Sequence, residues 1–195
     1  LGADHHGYVP RMKAALSALG IDENRLDCVI MQMVRLVRDG ETIKLSKRSG
    51  KAITLTTLLD EIPIDAARFF FNLREPNSHF DFDLDLAAQE TSQNPVYYVQ
   101  YAHARICSIL KKAHSSGITL RTPTDEELDL LNSPEETELI RHLSSLTDEV
   151  ITAAKTYDPA RITHFVIELA TLFHKFYNAQ RVIADAERLM TARLY

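Results

Sequence analysis

The chain lacks any run of about 18 or more apolar residues, which excludes an ordinary transmembrane helix. It lacks an initiator methionine, opening on Leu1-Gly2-Ala3-Asp4, and no basic segment followed by an apolar core marks a secretory leader. Such an opening is expected of a piece of a longer protein. Only two cysteines occur, Cys28 and Cys107, far apart and with neither zinc-site nor redox spacing. They read as buried, reduced thiols, which fits an intracellular compartment. Internal repeats and low-complexity tracts are absent, as is the strand–GxxxxGK[ST]–helix order of a P-loop.

What remains is an ordinary globular composition. The 195 residues suit one large domain or two small ones, with 45% hydrophobic and 25% charged residues. The net charge of −5 at first argues against a nucleic-acid partner. The distribution reverses that reading. Residues 121–150 hold two basic and nine acidic residues, so the rest of the chain carries a small positive excess. The acidic segment is expected to be a solvated helical face turned away from any phosphate.

The most distinctive stretch is Lys44-Leu45-Ser46-Lys47-Arg48-Ser49-Gly50-Lys51. Four cations in eight residues cannot be core. They offer mobile point charges, with hydroxyl and backbone donors, to a polyphosphate or another anion. A solvated basic hairpin end would have the same composition.

Patterning around this stretch divides the chain. Gly2-Ala3-Asp4-His5-His6-Gly7 reads as a strand end and tight loop before a helix from about Pro10 to Leu19, stopped by Gly20. That order suits a nucleotide site in an open α/β sheet, or equally a surface loop with two ordinary histidines. Residues 28–38 are strand-like, Asp39-Gly40 is a hairpin turn, and Glu41–Leu45 returns as a second strand. Short helices follow at about 57–61 and 65–74, the second capped by Asp65. Phe69, Phe70, Phe71 and Leu73 are expected to pack the joint between two structural units. Asp81-Phe82-Asp83-Leu84-Asp85 imitates the start of a calcium loop, but Leu86 and Ser92 stand where that loop needs Gly and Glu. An extended connector with one packed face is expected instead.

From about Leu86 the pattern is helical. Val99, Ala102, Ile106, Ile109 and Leu110 should face a core, and a helix over 134–156 should present Leu139, Leu143, Leu146 and Val150. Asp158-Pro159 caps a long helix striped by Ile162, Phe165, Val166, Leu169, Phe173 and Phe176. The fold class expected is mainly α: the remnant of a Rossmann-like α/β domain followed by an antiparallel helical bundle. Tyr98, Tyr101 and Arg105 share a helix face about 100° from the apolar stripe. They suit unstacked RNA bases, although one or both tyrosines could instead plug the interhelical core. His103 and Cys107 read as packing residues.

Ile43–Gly50 resembles the KMSKS signature loop of class I aminoacyl-tRNA synthetases. In order around it stand Gly2–Tyr8, Asp65-Ala66-Ala67-Arg68-Phe69-Phe70, His79–Leu86 and Asn94-Pro95-Val96-Tyr97-Tyr98-Val99-Gln100-Tyr101-Ala102-His103-Ala104-Arg105. Together these blocks resemble the bacterial arginyl-tRNA synthetases over essentially the whole chain. The resemblance implies a division into 1–55, the end of the catalytic domain; 56–84, a stem-contact connector; and 85–195, a DALR-type anticodon-binding domain, cut short at Leu194-Tyr195.

It also implies roles. Asp4, His5 and His6 become candidates for the ATP site, and Lys44, Ser46 and Lys47 for stabilising the departing pyrophosphate. Arg48 replaces the final serine of the signature. Tyr98, Tyr101 and Arg105 become tRNA-binding candidates. The substrates implied are arginine, ATP with Mg²⁺ and tRNA(Arg), with no protein metal site, in a cytoplasmic monomer. No HxGH motif is present, so the isolated chain is expected not to activate arginine. A cysteinyl relative, or a non-catalytic RNA-binding or scaffold module, are the rival readings.

Overall fold

The computed structural model describes residues 1–43, 54–183 and 187–195. The chain forms two compact units: residues 1–89 with 153–160, and residues 90–152 with 161–195.

The first unit begins with a parallel bridge between Gly2 and Met31, a short 3-10 turn over Ala3–His5, and α1 (Tyr8–Ala18). Helix α1 starts two residues ahead of Pro10, which stands inside its first turn, where no helical N–H partner is lost. Strand β1 (Val34–Arg38) pairs antiparallel with β2 (Glu41–Thr42). Asp39 (φ 52°) and Gly40 (φ 74°) both adopt positive φ, as a two-residue hairpin turn requires. The strand expected over 28–38 is therefore shorter. Residues 28–33 run extended, held by single bonds such as Gln32 N–H to the Pro76 carbonyl at 2.8 Å.

Helix α2 (Leu55–Glu61) is capped by Thr54, whose hydroxyl accepts from Thr57 N–H. Helix α3 (Ile64–Phe71) starts one residue ahead of Asp65, so Asp65 adds charge to the first turn and Pro63 stands at the cap. Strand β3 (Phe80–Asp83) returns parallel to β1, giving the sheet order β2-β1-β3. Phe82 is wholly buried against Phe70 and Phe71, with ring centroids at 5.4 and 5.0 Å. Phe70 and Phe82 are thus the core of this sheet and its covering helix, while Phe71 remains 42% exposed.

The three aspartates of the calcium-like stretch each have a structural partner. Asp81 pairs with Arg35 at 2.6 Å, Asp83 caps α4 (Leu84–Ala88) through Leu86 N–H, and Asp85 accepts from Asp39 N–H at 2.6 Å. Alternation on the strand sends Asp81 and Asp83 to the rim while Phe82 goes inward.

The second unit is helical: α5 (Pro95–Ser115), α6 (Asp125–Leu128), α7 (Pro134–Ser144), most of α8 (Leu146–Thr156) and α9 (Ala160–Ala179), then α10 (Glu187–Leu194). The single helix expected over 134–156 is two. Ser144 and Ser145 hydroxyls donate back to the Arg141 and His142 carbonyls, and this competition interrupts the ladder at Ser145. The buried side of α7 is then Glu136, Leu139 and His142, while Leu143, Leu146 and Val150 are exposed. His142 stacks on Phe165 at 4.2 Å and donates from Nε2 to its carbonyl at 2.9 Å. The stripe on α9 is as expected, with Phe165, Phe173 and Phe176 buried.

Two carboxylates of the acidic segment are not solvated. Glu127 and Glu136 are each 3% exposed and close the capping boxes of α6 and α7. Glu127 meets Arg121 at 2.7 Å; that bond and Thr124 N–H lower its pKa to about 2. Burial pushes Glu136 up, but Ser133 and Arg193 outweigh it and hold its pKa below the usual range.

Candidate nucleic-acid interface

Helix α5 begins where Asn94 Oδ1 accepts from Val96 N–H and Pro95 fills the first helical position. Its inward side is marked by Tyr98, Val99, Ala102, Ile109 and Ala113, which is rotated from the stripe expected. Ile106 and Leu110 are exposed at 39% and 38%. Ala102 sits in the hydrophobic cluster with Ala170, Phe173 and Phe176, and Ala113 is fully buried, so the inward row runs through these small residues.

The rotation separates the three residues of the expected recognition face. Tyr98 is half-buried on the hydrophobic cluster of Ala102, Ala170, Phe173 and Phe176. Its ring stands 4.9 Å from that of His174. Tyr101 lies outward, 46% exposed, with its ring parallel to Tyr97 at 6.4 Å. Arg105 is held between two rings, 4.7 Å from the centroid of Tyr101 and 4.5 Å from that of Tyr177 on α9. Its Nη2 also donates to the Tyr101 hydroxyl at 2.5 Å.

Each ring–guanidinium contact contributes about 0.5–1 kcal/mol when exposed. Together with the hydroxyl bond they fix the long side chain in one place. The planar cation and two tyrosines then present a preorganised surface with both π-faces and positive charge.

Periodicity on α5 missed Tyr177 and His174 because both belong to α9. The signal was present in the sequence: they are spaced i, i+3 beside the Phe173–Phe176 stripe, where a helix edge leaves the core. His174 supports Tyr98 and Tyr101, and its Nε2 is buried without a hydrogen-bond partner among the described residues. Burial, and then the positive charge of Arg105, push its pKa down, against a hydrogen bond with the Tyr98 backbone that raises it.

Among the described residues, the other candidates form no comparable constellation. Asp4, His5 and His6 are exposed on the turn before α1; His6 Nδ1 bonds the Ala3 carbonyl at 3.0 Å, and His5 meets the edge of Tyr8. Lys44, Ser46 and Lys47 lie outside the described residues. Among the described residues, no group of His, Cys, Asp or Glu could hold a metal ion, and no helix is long and apolar enough to cross a membrane. His103 and Cys107 are exposed rather than packed, with Cys107 Sγ 3.6 Å from His103 Nε2, and Cys28 is only half-buried. Position on the outer side of α5 explains the first two, since the inward row passes through Ala102 and Ile109.

Comparison with known proteins bears on this arrangement. Residues 99–195 match the DALR anticodon binding domain family. The arginine–tRNA ligase of Caldanaerobacter subterraneus subsp. tengcongensis is 54% identical over 98% of the chain, and that of Desulfitobacterium hafniense is 54% identical over 99%. These matches cover 34% and 35% of the relatives, so the chain spans about a third of their length. A crystal structure from Campylobacter jejuni, described as an arginyl-tRNA synthetase, superposes with a TM-score of 0.82 at 35% identity, covering 100% of this chain and 42% of that one. Thermus thermophilus arginyl-tRNA synthetase shares the fold, with a TM-score of 0.78 at 23% identity over 99% of this chain and 36% of that one. With a DALR module behind the Tyr101–Arg105–Tyr177 surface and this likeness along nearly all its length, the chain belongs to the bacterial arginyl-tRNA synthetase family and corresponds to its C-terminal part.

Proposed function

We propose that the chain is the C-terminal portion of a cytoplasmic, monomeric arginine–tRNA ligase. The whole enzyme activates arginine with ATP and Mg²⁺. The arginine carboxylate attacks the α-phosphate, pyrophosphate leaves, and the arginyl group passes from the adenylate to tRNA(Arg). Within this chain, residues 1–55 end the catalytic domain, 56–84 contact the tRNA stem, and 85–195 bind the anticodon. Asp4, His5 and His6 contribute to the nucleotide site. Lys44, Ser46 and Lys47 offer cations and a hydroxyl to the leaving pyrophosphate, whose charge grows as the bond breaks.

The observation that carries this reading is the exposed clamp of Tyr101, Arg105 and Tyr177 in a unit of the DALR family. Loop bases presented by an anticodon are unstacked, and each has a π-face that a tyrosine or guanidinium can cover at about 1–3 kcal/mol. Tyr101 is the outward partner, and Tyr98 acts from beneath it through His174.

The test is titration of the protein with an RNA hairpin bearing the anticodon stem and loop of tRNA(Arg), beside one with altered anticodon bases. Arg105→Ala and Tyr177→Ala are expected to weaken the first by about five- to a hundredfold and to erase discrimination between the two. Unchanged affinity and discrimination in both variants would refute the interface.

A further inference from the structure

Resting on the reading of the second unit as an RNA-binding module, we propose that the cleft beside Arg105 is a phosphate subsite. It holds the sugar–phosphate backbone of the RNA loop whose bases meet Tyr101 and Tyr177, with Lys112 and Arg181 as counter-charges. The cleft has a volume of about 470 Å³ and lies between the last turns of α5 and the end of α9 with the segment that follows. Among the described residues, its lining includes Arg105, Lys112 and Arg181 and no carboxylate.

That lining contrasts with three other arginines of this unit, which pair with acids: Arg121 with Glu127, Arg161 with Glu149, and Arg193 with Glu136. Lys112 and Arg181 are exposed, and no described carboxylate pairs with either. The C-terminal ends of α5 and α9 each bring about half a negative charge to the region. Three full cations outweigh them, in a chain whose net charge is −5.

The position decides the ligand class. Arg105 is committed to the two tyrosine rings and forms the boundary between the stacking surface and the cleft. A base laid on Tyr177 carries its phosphodiester within one nucleotide's reach of that boundary. Lys112 and Arg181 end long, mobile side chains that can follow such a backbone, a contact that positions RNA without reading its sequence. Base recognition and phosphate neutralisation are thereby divided between two adjoining surfaces.

The division is tested with Lys112→Ala and Arg181→Ala, titrated across a salt series with the same two hairpins. Each variant is expected to reduce the slope of log K against log salt by about 0.7, the value for one single-strand phosphate contact. Affinity should fall equally for both hairpins, and Lys112→Arg and Arg181→Lys should keep the slope. Unchanged slopes, or a loss confined to one hairpin, would overturn the subsite, the second outcome meaning that the cleft reads a base. A wild-type protein that binds both hairpins alike would refute anticodon reading while the slopes still judge the subsite. No binding by the unaltered protein would refute both.

Discussion

Removing Arg193 should unlock the second unit. The guanidinium is 8% exposed and donates from Nε to Glu136 Oε1 at 2.6 Å. It also donates to the Gln180 side-chain oxygen at 2.8 Å and to the Arg181 carbonyl at 2.9 Å. One side chain of α10 thus ties the N-terminus of α7 to the end of α9. Arg193→Ala leaves Glu136, only 3% exposed, as a buried carboxylate with one cation lost. Breaking a buried pair from one side costs about 3–5 kcal/mol. For a chain of this size that is a drop of roughly 6–20 °C in melting temperature, at about 2–4 °C per kcal/mol.

A double substitution separates the charge from the cap. Glu136→Leu with Arg193→Leu removes both charges, a change that is often nearly neutral. Glu136 also accepts from Ser133 N–H at 3.0 Å, so the double variant should still lose about 1 kcal/mol of capping. Urea unfolding of both single variants and the double variant closes the cycle. A coupling energy below about 1 kcal/mol would refute the argument, because it would mean that solvent already compensates the pair.

Two further outcomes follow from the packing and the caps. Phe82→Ala should destabilise the first unit by about 3–5 kcal/mol, because a wholly buried ring contacting Phe70 and Phe71 leaves a cavity; unfolding followed by near-ultraviolet circular dichroism measures it, and a loss under about 1 kcal/mol would contradict the burial. Glu127 ionises at about 2 in the folded chain against an ordinary value near 4.5, so its contribution is complete above about 4.5 and is lost as pH falls toward 2. Stability between those limits should fall less steeply in Glu127→Gln than in the wild type, and parallel acid profiles would contradict the assignment.

Much of the architecture was legible from local chemistry. Asp39-Gly40 dictates a two-residue hairpin because both positions take positive φ. Asn94-Pro95 and Asp158-Pro159 dictate helix starts, since a short carboxylate or amide caps the free N–H groups and proline needs none. The motif blocks carried the family, and the failed calcium pattern was readable from Leu86 and Ser92. These features depend only on neighbours within a few residues, so the sequence alone determined them.

Tertiary structure decided what depends on a partner element. The 3.6-residue period placed Tyr98, Tyr101 and Arg105 on one side of α5, but it could not say where the next helix would lie. Packing through Ala102 against Ala170, Phe173 and Phe176 set Tyr98 inward, left Tyr101 outside and left Ile106 and Leu110 exposed. The same packing places Tyr177, more than seventy positions away in the chain, against Arg105. The same holds for Glu127 and Glu136, which look like surface acids until Arg121 and Arg193 meet them. A side chain's burial and partners belong to the packing of helices, and a guanidinium becomes a clamp only when two rings from different elements close on it.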